Sequence, residues 1–155
     1  MRFAVVVSRW NGEMTGRLRD GALEALNERG SINADIEVFE VPGAFELPLG
    51  CLIAAKTGNF DAVIALGVVI RGDTPHFDYV AGQAASGVMN AGLETGVPVM
   101  FGVITADTEQ QALDRCGEKA DNKGYEAALS AVEMVATIRQ IAARDRGEKA
   151  LPHVV

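Results

Sequence analysis

Four short apolar runs rich in β-branched residues recur along this chain, each followed by a stretch of helical periodicity, and that alternation restricts the fold more than any other feature. The first run is Phe3–Ser8. Residues 17 to 29 then set Leu18, Ala22, Ala25 and Leu26 at i, i+4, i+7 and i+8, the stripe of a one-sided helix, and Gly30 stops it. Ile36–Val41 reads as a second strand and residues 44 to 57 as a second helix closed by Gly58. Ala62–Ile70 is the third strand. Thr74-Pro75 has the form of a helix opening, and residues 79 to 93 continue it with Val80, Ala84, Val88 and Ala91 aligned. Residues 97 to 105 give the fourth strand. Helices over about 108 to 116 and 122 to 144 close the chain, the last with Tyr125, Ala128, Leu129, Val132 and Val135 as its buried stripe.

Strands separated by helices at this spacing predict a parallel sheet covered on both faces. Right-handed crossovers then give a three-layer α/β/α sandwich with a four-stranded parallel sheet. The 155 residues fit one domain, read over residues 1–145, with 146–155 as a loose tail. A hydrophobic content of 48% with only 6% aromatics suits a core of Ala, Val, Leu and Ile in such a fold, rather than an aromatic-rich β-sandwich.

Charge removes several function classes. Fourteen Lys and Arg against 21 Asp and Glu leave a formal charge of −7, without a basic run, so neither nucleic acid nor an anionic membrane is an expected partner. Cys51 and Cys116 fit no zinc spacing and read as small core residues. With His76 and His153 the only histidines, a His-based metal site is not expected. The opening run Arg2-Phe3-Ala4-Val5-Val6-Val7 is too short for a signal-peptide core, and no apolar stretch reaches membrane-spanning length, so the expectation is a cytoplasmic protein.

In a parallel sheet the loops after the strands share one rim, where open α/β folds bind ligands. Here they are Ser8-Arg9-Trp10-Asn11-Gly12, Val41-Pro42-Gly43-Ala44-Phe45-Glu46, residues 71 to 76, and Thr105-Ala106-Asp107. Trp10 offers an aromatic plane, though a lone tryptophan also serves cores and interfaces. Glu46 in a first helical turn is favoured by the helix dipole alone, by a few tenths to about 1 kcal/mol, whatever else it does. Gly72-Asp73-Thr74 before a helix could cradle phosphate through backbone N–H groups. Asp73 opposes a bare anion nest unless its side chain caps the helix or turns away. Arg71 is either an added positive charge or a solvated one. His76 is sharper: a helix N-terminus disfavours a cation, which suits an imidazole to proton relay, against the plain alternative of packing on Phe77 or Tyr79. Arg115 and Lys123 flank the break between the last two helices and matter only if they reach a site, in this chain or in a neighbouring subunit.

Together these stretches resemble the lumazine synthases, enzymes of the penultimate step of riboflavin biosynthesis. The resemblance rests on Ser8-Arg9-Trp10-Asn11, Val41-Pro42-Gly43-Ala44-Phe45-Glu46-Leu47-Pro48, the run from Gly67 through Arg71-Gly72-Asp73-Thr74-Pro75-His76-Phe77-Asp78-Tyr79, Phe101-Gly102-Val103-Ile104-Thr105, and Asn122-Lys123-Gly124 with Ala128-Leu129-Ser130-Ala131 beyond it. It implies a flavodoxin-like fold and the condensation of 5-amino-6-(D-ribitylamino)uracil with 3,4-dihydroxy-2-butanone 4-phosphate. The product is 6,7-dimethyl-8-ribityllumazine, with phosphate and water released and neither metal nor redox cofactor needed.

Carried residue by residue, the resemblance implies that Trp10, where many members have Phe, stacks on the pyrimidine. Ala44, Phe45 and Glu46 then meet the ribityl side, and Val68, Val69 and Ile70 line the ring pocket. Asp73 and Thr74 hold the phosphate-bearing substrate, and His76 transfers protons. Phe101 and Arg115 come from the adjacent subunit, with Lys123 close by. A homo-oligomer follows, a pentameric ring as in the family, and the short break between Gly117 and Asn122 resembles that of members that close into icosahedral shells. Riboflavin synthase is a further expected partner. The family's usual N-terminal strand-forming segment does not precede Phe3 here, which bears on assembly rather than chemistry. A non-catalytic flavin- or lumazine-binding relative, or a shell-forming one, is the alternative; retention of His76, Arg115 and Lys123 together speaks against it.

Overall fold

The computed structural model describes residues 1–147 and carries nine principal elements in alternating order. These are β1 (Phe3–Ser8), α1 (Gly12–Glu28), β2 (Ile36–Val41), α2 (Leu47–Lys56), β3 (Ala62–Ile70), α3 (His76–Thr95), β4 (Val99–Ala106), α4 (Glu109–Asp114) and α5 (Lys123–Asp145). Short 3-10 turns sit at Asn33–Asp35, Ala44–Glu46 and Lys119–Asp121. The tail read over 146–155 lies outside the described residues from position 148 onward.

The four strands form one sheet in the order β2-β1-β3-β4, all parallel. Phe3 stands opposite Ile36 on one side and Ala62 on the other, and Ile70 reaches Ala106 at the far end of β4. This is the flavodoxin-like winding: the chain leaves β1 toward β2 and later builds outward from β3, so a crevice opens between the carboxyl ends of β1 and β3.

Alternation along the strands divides the core in two. Phe3, Val5 and Val7 of β1 and Ile64 and Leu66 of β3 pack against Leu18, Ala22 and Leu26 of α1 and Ala128, Ala131 and Val135 of α5. Ala4, Val6, Val63 and Ala65 face Leu47, Cys51 and Ala55 of α2 and Val88 and Ala91 of α3. Both central strands are thus buried on both sides, which is why they read as continuous apolar runs. Leu18, Leu26 and Leu47 are fully enclosed, each worth about 1.5–3 kcal/mol relative to exposure. Cys51 and Cys116 are free and buried, as their apolar surroundings predict, and burial pushes the Cys51 thiol up to about 12.

Helix starts differ from the stripes. Helix α1 begins at Gly12 rather than 17, because Met14 and Thr15 are already buried ahead of the regular pattern. The helix read from residue 44 opens as a 3-10 turn and becomes α-helical only at Leu47, with a proline in its first turn. Strand β4 starts at Val99, after Pro98, whose carbonyl accepts the Val63 N–H at 2.8 Å.

Candidate functional site

The β1–β3 crevice is occupied by a cleft of about 460 Å³. Its lining comes from four segments: Trp10 and Asn11 after β1, Ala44, Phe45 and Glu46 after β2, Val68, Val69 and Ile70 at the end of β3, and His76, Tyr79 and Val80 on α3. Val68 and Val69 are buried and form the floor, whereas Trp10, Phe45 and Tyr79 remain 61%, 58% and 69% exposed. Large aromatics held this far into solvent around an apolar floor make a place for a flat, partly polar ligand.

Local backbone chemistry sets each wall. Asn11 takes a left-handed conformation at φ 61°, a region asparagine tolerates better than most residues. Its carbonyl accepts the N–H groups of Met14 and Thr15 at 3.0 Å, starting α1, while Nδ2 donates to the Val68 carbonyl at 3.2 Å. The loop is thereby pinned across β3. Trp10 donates its backbone N–H to Pro42 at 3.1 Å, and Gly43 leaves room for the indole, since a Cβ at position 43 would run into the ring. Glu46 closes the next turn: Oε2 accepts the Gly43 N–H at 3.1 Å, and the Glu46 N–H returns to the Gly43 carbonyl at 3.2 Å. That carboxylate therefore has a structural task while lining the cleft.

The turn after β3 is arranged differently from its sequence reading. Arg71 is not a free cation. Its Nε donates to Asp107 at 2.8 Å and Nη1 to Asp78 at 3.3 Å, and the guanidinium lies 4.4 Å from the centre of the Phe77 ring. The Asp107 hydrogen bond in particular holds the Arg71 pKa above its ordinary value. Arg71 so ties the β3 end to the β4–α4 loop. Asp73 does not cap α3, whose N-cap is Pro75 with no side-chain bond. Thr74 Oγ1 accepts only a long 3.4 Å contact from the His76 N–H. Asp73 and Thr74 are exposed in the turn between the cleft floor and His76, outside the lining itself.

Three expected site residues lie elsewhere in the single chain. Arg115 and Lys123 line a separate hollow of about 600 Å³ at the end of β4, together with Asp114, Asp121 and Glu126. Arg115 Nη1 donates to the Gln111 carbonyl at 2.8 Å, and Lys123 Nζ lies 3.5 Å from Glu126 Oε2. Two cations facing three carboxylates do not by themselves make an anion site. Phe101, paired with Ala65 in mid-strand, borders an apolar groove of about 550 Å³ with Met89 and Leu93 of α3 and Met134 and Ile138 of α5. No residue lines both the cleft and either of these surfaces.

Asn11, Tyr79 and Val80 also line the cleft, although no site role was read for them in the sequence. A signal existed for each: Tyr79 and Val80 stand three and four residues after His76, on the same face of α3. For Asn11 the signal was its place in the rim loop after β1, whereas its bond to Val68, 57 residues away, had none.

Residues 1–139 match the family described as 6,7-dimethyl-8-ribityllumazine synthase. A protein of that name from Syntrophus aciditrophicus (strain SB) is 54% identical over 141 residues, covering 91% of this chain and 92% of its own length. Another from Desulfatibacillum aliphaticivorans is 52% identical over 134 residues, 86% of each chain. The chain belongs to the 6,7-dimethyl-8-ribityllumazine synthase family.

Proposed function

We propose that this protein is the transferase that condenses 5-amino-6-(D-ribitylamino)uracil with 3,4-dihydroxy-2-butanone 4-phosphate to give 6,7-dimethyl-8-ribityllumazine, phosphate and water. The observation that carries the reading is the cleft at the β1–β3 crevice, where an exposed indole, an apolar strand floor and His76 face one space in a chain of this family.

In this reading Trp10 stacks on the pyrimidine, Val68, Val69 and Ile70 form the surface under it, and Ala44, Phe45 and Glu46 meet the ribityl chain. Asp73 and Thr74 hold the phosphate-bearing substrate at the rim; no hydrogen bond within the described chain uses the backbone N–H groups of Gly72, Asp73 or Thr74, so they are available to it. An amine of the pyrimidine attacks the ketone and water leaves to form an imine. Phosphate is then eliminated, and the second nitrogen attacks the carbonyl this step generates, closing the ring with loss of a second water. His76 relays protons in these steps. Holding two reactants in register can supply several kcal/mol, up to about 7–11 in the best intramolecular cases, so positioning outweighs the histidine.

The remaining roles need a second copy. Phe101 and Arg115 reach the cleft of an adjacent subunit, Phe101 over the ring and Arg115 on the phosphate, with Lys123 beside it. Their separation from the cleft within one chain supports this. A pentameric ring is the arrangement the family suggests, with an icosahedral shell as its larger form and riboflavin synthase as a partner; the setting is the cytoplasm. No helix among the described residues is long and apolar enough to cross a membrane. The decisive assay mixes both substrates with the assembled protein and follows the fluorescence of the product. Absence of product from an assembled sample overturns the reading.

A further inference from the structure

Asn122 is 3% exposed, and its side chain is engaged in three directions. Nδ2 donates to the Arg17 carbonyl of α1 at 3.0 Å and to the Gly117 carbonyl at 2.9 Å, while Oδ1 accepts the Tyr125 N–H at 2.9 Å and so caps α5. A buried amide with both N–H bonds and one acceptor satisfied is a rigid node, since breaking any of them strands a polar group away from water.

What the node fixes is the chain between the two cations. Cys116 and Asn122 form an antiparallel bridge, and the Lys123 N–H donates to the Arg115 carbonyl at 2.9 Å. The Gly117 N–H bonds Asp121 at 2.9 Å, closing the loop between them, with Lys119 at φ 45°. The Cα positions of Arg115 and Lys123 are therefore set by a backbone clasp whose lock is Asn122. Gly21 of α1 lies directly against the amide, where a Cβ would collide with it.

We propose that Asn122 is a positioning residue for phosphate recognition: without touching substrate, it fixes the spacing and direction of Arg115 and Lys123. This rests on the reading of those two cations as phosphate ligands given above. Asn122→Asp keeps the Oδ1 cap but turns a carboxylate oxygen toward the Arg17 and Gly117 carbonyls, replacing two attractions with two repulsions. Gly21→Ala reaches the same node from α1, where alanine is otherwise the better helix former.

The test measures inorganic phosphate binding by calorimetry on the assembled protein, and the KM of each substrate. Because a small displacement of a binding group is amplified at a two-substrate site, each variant is expected to raise the phosphate Kd and the butanone phosphate KM about tenfold, leaving the KM of the pyrimidine within about twofold. An unchanged phosphate Kd in either folded variant overturns the proposal. So does a parallel rise of both KM values, or loss of folding in both variants, which leaves Asn122 a structural role only. Phosphate binding needs no turnover, so a wild type that makes no product sinks the activity reading alone, whereas a wild type that binds no phosphate sinks this one.

Discussion

His76 begins α3 at the edge of the cleft and is exposed, with only its backbone N–H held, weakly, by Thr74. Nothing in the fold depends on its ring, so His76→Ala should melt like the wild type. General acid–base residues commonly contribute about 10²–10⁴-fold, and a reaction dominated by positioning should lie near the low end. The expected result is a kcat reduced about 100-fold with ligand Kd nearly unchanged. Complete loss of turnover in a folded, ligand-binding variant contradicts it. Trp10, Glu46 and His76 were legible as cleft residues because they follow apolar runs in the loops after strands, whereas Val68, Val69 and Ile70, inside β3, were pointed to only by the family resemblance. Arg71 was not legible, because Asp107 comes into reach only when the β3 and β4 ends lie side by side, and Asp78 only once the turn folds α3 back over the end of β3. The same holds for Asn122, whose bond to Arg17 spans 105 residues.

Among the elements, three strands were read to the residue because apolar runs end where loop residues begin. Helix starts were less visible where burial precedes periodicity, as at Met14. One inter-element contact has a pH signature. Glu28 of α1 accepts from Tyr125 Oη at 2.6 Å and from Lys119 Nζ at 3.0 Å, joining α1, α5 and the loop between Arg115 and Lys123. The Tyr125 bond, then Lys119, lowers the Glu28 pKa below its usual 4.5; the Glu28 bond raises Lys119 above 10.5 and Tyr125 above 10.0. A lowered acid stabilises above its unfolded pKa and loses that as pH falls through the folded value. Raised groups stabilise below their unfolded pKa and lose it as pH rises through theirs. Protection of the Lys119–Asp121 amides, taken relative to the intrinsic pH-dependent exchange rate, should therefore be greatest between these limits and fall both on acidification below the usual Glu range and on alkalinisation beyond the usual Tyr and Lys range, with Glu28→Gln flattening the acid limb. A profile with no acid limb in the wild type refutes the strut. All three groups are solvent-accessible, so the effect should weaken in salt.

At the scale of the whole molecule, apolar side chains remain uncovered on several sides. Leu49 and Ile53 of α2, Met89 and Leu93 of α3, and Ile141 of α5 are all more than half exposed, with Leu93 at 75%. Val38 and Phe39 stand on the free edge strand β2. Unpaired strand edges and contiguous apolar patches are features that soluble chains cover by association. Sedimentation should show a single species several times the chain mass, and Leu93→Glu should shift it toward smaller ones. A wild type that sediments as one chain contradicts this. The number of subunits was not legible in the chain's own residues, since it depends on angles between copies rather than on contacts within one.

The separation of the aromatic cleft from the Arg115–Lys123 hollow has a genetic consequence. If each working centre draws its two halves from different copies, a defect in one half is complemented by a copy defective in the other. Trp10→Ala and Arg115→Ala proteins, each nearly inactive alone, should regain activity when denatured together and refolded as a mixture. With random assembly about a quarter of the centres would carry both intact halves. Two silent alleles of this gene in one cell would then behave as a functional one.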